Sequence, residues 1–390
     1  MPWPLDTGGH LRTYHLARGL ARRFDLILVT GVDRVDTPGI ARLREDGINV
    51  CPAILPPRGK VGEALRALNA RLSGRPYVFF ARHDRRPVWR ALRRELSERR
   101  PDLFFFDHLD SLLFSRLAGD LPFAIDCHNV YSTLVRRQAE EGHRGLARRY
   151  LLGEARRLER VERQAAGTAR LLFAVSAEDL EIFNRFGAHN AHVVPNGVDC
   201  AFYASIPPER PDSAPLLLYV GTMSWPPNAN AVVFLAREAL PRIRTKCPAA
   251  RLRIIGRDPL PAVRELAALP GVEVTGGVDD VRPHLSEAHA LAVPLETGGG
   301  SRLKILEAFA AGLPVVSTPV GCEGLEVSNG VHLTVARREE FADAVVGLLQ
   351  NRSTAAARAA EARRLVVDRY DWKAVADSAA KLLSAVVGCK

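Results

Sequence analysis

Residues 294–325, PLETGGGSRLKILEAFAAGLPVVSTPVGCEGL, hold the densest set of groups able to do chemistry. An apolar strand ends at Pro294, Gly298, Gly299 and Gly300 form a loop, and a helix is predicted to open near Ser301 and close at Gly312. A helix N-terminus behind a glycine loop presents outward N–H groups and the positive end of the helix dipole, an arrangement suited to an anion. Arg302 and Lys304 add cationic side chains at that end. Glu307, one turn further in, cannot bind phosphate but can accept hydrogen bonds from two neighbouring hydroxyls, as a ribose diol presents them. Phosphate cradle and diol acceptor together point to a nucleotide. The same spacing also admits a plain i,i+3 surface pair, Lys304 with Glu307, beside a glycine turn.

The elements around this segment form two series. LILVTG (26–31), DLFFFD (102–107), FAID (123–126) and LLFAVS (171–176) read as buried strands alternating with helix-period segments. The stretch 199–215, rich in proline and polar residues and without periodicity, reads as an inter-domain linker. A second series follows with LLLYVG (216–221), RLRIIG (251–256), VEVTG (272–276), HALAVP (289–294) and LPVVST (313–318). Such alternation implies an α/β fold of two Rossmann-like doubly wound domains, residues 1–198 and 216–369, with parallel sheets. Ligands of such sheets bind beyond the carboxyl ends of the strands, so the crevice facing both domains is the expected site.

Composition narrows the function classes. With 390 residues, 47% of them hydrophobic, the chain can fill two cores, and no apolar run reaches the roughly 20 residues of a membrane-spanning helix. MPWPLDTGGH lacks the features of a secretory signal, so a cytoplasmic protein is expected. The six cysteines are scattered, with no C-x-x-C pair, which argues against disulfides and structural zinc. A net charge of +10 is carried mostly by arginine, with basic runs at 82–100 and 136–163. Each run could face an anionic membrane at its inner surface, though the glutamates within the second favour a solvated helix face. No helix-turn-helix, zinc or aromatic-stacking module accompanies them, which argues against nucleic acid. A nicotinamide-dependent oxidoreductase would need G-x-G-x-x-G between strand and helix, and the chain has none.

PWPLDTGGHLRTYHLARGL near the start, DCHN around His128, VS at 175–176, PNGVD at 195–199 and the EAFAAGLPVVST block give the chain a resemblance to the GT-B glycosyltransferases, specifically the retaining enzymes of family 4. The resemblance covers nearly the whole chain. It implies a C-terminal helix, residues 370–390, crossing back to the first domain. It further implies a UDP- or GDP-sugar donor, a glycan or lipid-linked acceptor, and retention at the anomeric carbon without a metal or other cofactor. The chain has no D-x-D sequence, in keeping with that. A catalytically inactive sugar-nucleotide-binding protein of the same fold is the alternative.

Family members often carry Glu-x7-Glu ending at the position of Glu307, but the first position here is Gly299. The basic residue usual after the first strand of the second domain is also missing, since residues 220–232 hold neither Arg nor Lys. The sequence resembles the branch with G-G-G-[ST]-R-L-K-I-L-E, in which Arg302 and Lys304 supply that charge and backbone groups of Gly299, Gly300, Ser301 and Leu303 handle the sugar hydroxyls. By resemblance, His128 lies beside the donor's sugar, where a neutral imidazole bonds a hydroxyl or shares a forming charge. The other reading ties it to a carboxylate such as Asp126. Gly8 and Gly9 would let a loop backbone approach the diphosphate from the first domain. Family members also begin with a buried strand before this loop, whereas Met1 already lies inside it. The expectation is therefore a first-domain sheet lacking that strand, with the natural start upstream.

Overall fold

The structure, a computed structural model, describes the chain except residues 6, 36, 143, 208–211, 298–301 and 389–390. The chain divides into two compact units, one of Met1–Asn196 with Val375–Lys390 and the other of Gly197–Ala374.

The first unit opens with helix α1 (Gly8–Leu20), for which Thr7 is the N-cap, its Oγ1 accepting from the His10 amide at 3.2 Å. Gly8 and Gly9, expected in a loop, are the first turn of this helix. Strands β1 (Ile27–Val32) and β2 (Asn49–Ile54) pair in parallel, and β2, with Pro52 in its middle, is a strand the apolar pattern does not announce. Next come helix α2 (Lys60–Leu72), strands β3 (Phe104–Asp107) and β4 (Phe123–Cys127), helix α3 (Gly145–Thr168), and strands β5 (Leu171–Ala174) and β6 (Ala191–Val193). β3 to β6 form a separate four-stranded parallel sheet in that order. No described strand pairs with both β1 and β3, and the described residues among 1–8 form none. All four residues of β5 are buried, the pattern of a parallel strand covered on both faces.

The second unit holds β7 (Leu216–Val220), β8 (Arg251–Ile255), β9 (Val272–Gly276), β10 (Ala290–Val293), helix α4 (Leu303–Ala310), β11 (Val315–Ser317) and β12 (Thr334–Val335). The sheet order is β12-β11-β10-β7-β8-β9, all parallel, the doubly wound arrangement. The order reverses between β7 and β10, so the crevice beyond their carboxyl ends is the switch point where ligands of such sheets bind. Gly312 ends α4 in the left-handed conformation at φ 64°. The stretch read as a linker begins as part of this unit: Asp199 caps a short helix, Cys200–Tyr203, and Tyr203 and Ile206 enter the core. Helix α5 (Trp372–Val387) starts in the second unit and from Val375 belongs to the first. No helix of the described residues is long and apolar enough to cross a membrane.

Candidate functional site

In the second unit the chain leaves β10 at Pro294, whose carbonyl accepts from Arg338 at 3.0 and 2.9 Å, and Arg338 also pairs with Glu296 at 2.8 Å. The segment entering α4 is thus anchored from a later helix. Gly299, Gly300 and Ser301 lie outside the described residues. Arg302 holds the N-cap position of α4 and Leu303 is its first residue.

Lys304 reaches the carboxyl end of β7. Its Nζ donates to the Tyr219 hydroxyl at 2.9 Å and to Asn228 Oδ1 at 3.0 Å, and Tyr219 donates to the same Asn228 oxygen at 2.7 Å. A methyl group at Gly221, just past β7, would lie 3.0 Å from that ammonium. The positive charge that residues 220–232 lack is therefore delivered to the end of β7 from α4. Burial, helped by the Arg302 charge and opposed by Glu307, lowers the Lys304 ammonium to about 7. Its partners are neutral, so an arriving anion would be the first full counter-charge among its hydrogen-bond partners.

Arg302, the other expected cation, is held within the unit. Its side chain is buried, and one terminal nitrogen donates to the Val320 carbonyl at 2.8 Å and approaches Glu323 at 3.4 Å. That contact ties the start of α4 to the turn after β11. Glu307 is hydrogen-bonded by Tyr203, and burial raises its carboxyl above the ordinary value against the pull of Tyr203 and Lys304. A carboxylate holding one donor keeps lone pairs for others.

In the first unit the β3–β4 register sets Asp107 beside Asp126, and His128 follows two residues after Asp126. The buried His128 ring places Nε2 3.0 Å from Asp107 and 3.3 Å from Asp126. Burial alone would lower its pKa, but the charge of Asp126 and the bonds to both carboxylates raise it to about 9. The two carboxylates thus favour the charged imidazolium over the neutral imidazole expected from the sequence. The ring's other nitrogen would lie 3.6 Å from a Cβ at Gly9, so the first turn of α1 sits against it.

Arg12, on α1, is a residue that sequence reasoning missed. Fully buried, it grips both oxygens of Asp126, Nε at 2.8 Å and a terminal nitrogen at 2.6 Å, and donates to the Pro195 carbonyl at 2.9 Å. Burial would raise Asp126, yet Arg12 and His128 hold it far below the ordinary carboxylate range. Thr13 donates to Asp107 at 2.7 Å. Asp107, Asp126 and His128 lie within 4.8 Å of one another, near enough for metal ligands. Both Asp126 oxygens, however, are bonded by the guanidinium, so fixed cations already meet the charge a metal ion would.

Two Rossmann-like units with parallel sheets, one carrying Lys304 and Glu307 on the helix at its switch point, fit the GT-B class of glycosyltransferase fold. Residues 7–202 match the model described as Glycosyltransferase Family 4, and residues 214–351 that of Glycosyl transferases group 1. The chain belongs to glycosyltransferase family 4. A glycogen synthase of Mycobacterium tuberculosis is 30% identical over 217 residues, covering 52% of this chain and 50% of that protein. A GDP-mannose-dependent alpha-(1-6)-phosphatidylinositol monomannoside mannosyltransferase of the same organism is 36% identical over 161 residues, 37% and 42% of the two chains. The chain thus spans half or less of the length of these curated relatives. Among solved structures, Anabaena HepE in complex with UDP and glucose superposes with a TM-score of 0.65 at 15% identity, covering 97% of this chain and 96% of that one. A glycosyltransferase of Rickettsia africae gives 0.68 at 13% identity, covering 98% and 96%. At such identities the likeness is one of fold.

Proposed function

We propose that the protein transfers a sugar from a UDP- or GDP-linked donor to a hydroxyl of a glycan or lipid-linked acceptor, with retention at the anomeric carbon and without a metal ion. The observation that carries this is Lys304, an ammonium held by neutral partners at the switch point of the second unit. In the transfer the bond between the anomeric carbon and the diphosphate oxygen breaks, its electron pair leaving with the nucleoside diphosphate. The acceptor oxygen bonds the same carbon, and its proton passes to the leaving phosphate. Negative charge grows on the diphosphate, where a preorganised cation counts most. Lys304 and the N-terminal end of α4 supply it, Glu307 takes the ribose diol, and Arg302 fixes where α4 begins. His128, from the first unit, is assigned to the transferred sugar as a charged donor. The UDP complex of HepE and the GDP-mannose dependence of the mannosyltransferase relative support a nucleotide-sugar donor.

A panel of UDP- and GDP-sugars, read by thermal stabilisation and by slow donor hydrolysis, tests the reading. At least one donor should stabilise the protein and be hydrolysed, and Lys304→Met should suppress the hydrolysis. Stabilisation without hydrolysis or transfer for every donor would leave a sugar-nucleotide binder, and no stabilisation would overturn the donor assignment.

A further inference from the structure

Helix α2 is scarcely attached to the protein that carries it. Of its 13 residues only Ala70 is buried. Val61, Leu65, Leu68 and Leu72 are 76%, 62%, 54% and 78% exposed. Their spacing of four, three and four residues puts them on one stripe of the helix. A helix of this length gains little stability from its own hydrogen bonds in water and ordinarily buries its apolar stripe. Here that stripe faces solvent.

The polar surroundings of the stripe are strongly basic. Residues 58–75 carry Arg58, Lys60, Arg66, Arg71 and Arg75 against the single acid Glu63. Glu63 is itself engaged by Arg58 at 3.3 Å, by Arg66 at 3.1 Å and by the Tyr77 hydroxyl. Burial lowers the Arg85 guanidinium, and the charges of Arg58 and Arg66 lower it further, the mark of crowded positive charge. In the basic run at 136–163 Arg136 and Arg163 both pair with Glu159, and Arg157 with Glu154; near α2, Arg75 likewise meets Asp84 at 3.5 Å.

From this arrangement we infer that α2 is a membrane-docking element: its Val61–Leu72 stripe enters the interface of an anionic bilayer while Lys60, Arg66 and Arg71 bind lipid phosphates. An amphipathic helix with basic flanks and a leucine face lies in such an interface, and each Lys or Arg near an anionic surface strengthens the attachment. Charge complementarity favours lipid over a second copy of the chain, since joining two such helices would bring two sets of arginines together. The inference stands apart from the donor chemistry.

Its test uses the full chain and no donor. Flotation with phosphatidylcholine vesicles, with and without phosphatidylglycerol, should show binding to the anionic vesicles only, weakened by added salt. Leu65→Glu with Leu72→Glu should lower the partition coefficient about tenfold or more. Arg66→Ala and Arg71→Ala should lower it about fivefold each. Thermal unfolding should be unchanged in all of them, because these side chains are exposed. Donor hydrolysis in solution should also be unchanged, which separates failure here from failure of the transferase reading. The inference is overturned if anionic vesicles are not bound, if these variants bind as the parent does, or if sedimentation shows a dimer that Leu65→Glu with Leu72→Glu dissociates.

Discussion

Replacing Lys304 by alanine probes the proposed chemistry most directly. The substitution removes one cation and leaves its surroundings satisfied, because the Tyr219 hydroxyl still donates to Asn228 at 2.7 Å. The folded protein should lose little stability. Catalysis should lose the stabilisation of growing charge on the leaving diphosphate, about 3 kcal/mol or roughly 10²-fold in turnover, the scale of one deleted preorganised group. Acidity supplies a second signature. The ammonium is lowered to about 7 by burial and by Arg302. Its charged form is therefore lost as pH rises through neutrality. Because kcat/KM reports ionisations of the free enzyme, the parent profile should fall above about pH 7, roughly tenfold per unit, and that limb should vanish in Lys304→Ala. Steady-state kinetics against donor concentration from pH 6 upward would show both effects. Turnover within about threefold of the parent, with the limb intact, would remove Lys304 from the chemistry.

Asp126→Asn should destabilise the first unit by about 3–5 kcal/mol in urea unfolding, since it strands the buried Arg12, and Arg12→Met with Asp126→Leu should recover much of that; a loss below about 1 kcal/mol would refute the pair's importance. His128→Ala should cut turnover roughly 10²-fold with donor affinity within a few fold, and equal activity would end its assigned role. The folded pKa of His128 is raised from 6.5 to about 9, so its stabilising contribution is complete below pH 6.5 and lost as pH rises through 9. That loss is on the order of 3 kcal/mol and should be absent from unfolding curves of His128→Gln. Glu307→Gln, which can still accept from Tyr203, should raise donor KM while leaving kcat within a few fold; lost turnover at saturating donor would move Glu307 into the chemical step.

Much of this architecture can be read without coordinates, and the exceptions share a cause. The strands β7 to β11 and helix α4 are legible because their apolar runs are long and glycines punctuate them. β2 hides its period behind Pro52, and β12 is two residues long. Lys304 and Glu307 stand out because the glycine loop marks the helix that carries them. What Lys304 touches, Tyr219 and Asn228, lies 85 and 76 residues away and depends on the meeting of β7 with α4. Arg12 looks like one of many surface arginines, because only the approach of α1 to β4 buries it against an aspartate 114 residues on. The charge state of His128 follows from the β3–β4 register, which adds Asp107 to the carboxylate that the local sequence shows.

The closing helix gives the chain an order of manufacture. The first unit is interrupted, with the second inserted between Asn196 and Val375. α1 packs so tightly on α5 that a methyl group at Gly19 would lie 2.2 Å from the Ala376 Cβ, and Arg23 pairs with Asp377 at 2.7 Å. On the ribosome, the helix that carries Arg12 must therefore wait for residues made only after the whole second unit. Domains formed continuously can fold as they emerge, so the second unit matures first and the earlier-made one last. A chain ending at Ala374 would hold the whole second unit and a first unit still lacking the surface on which α1 rests.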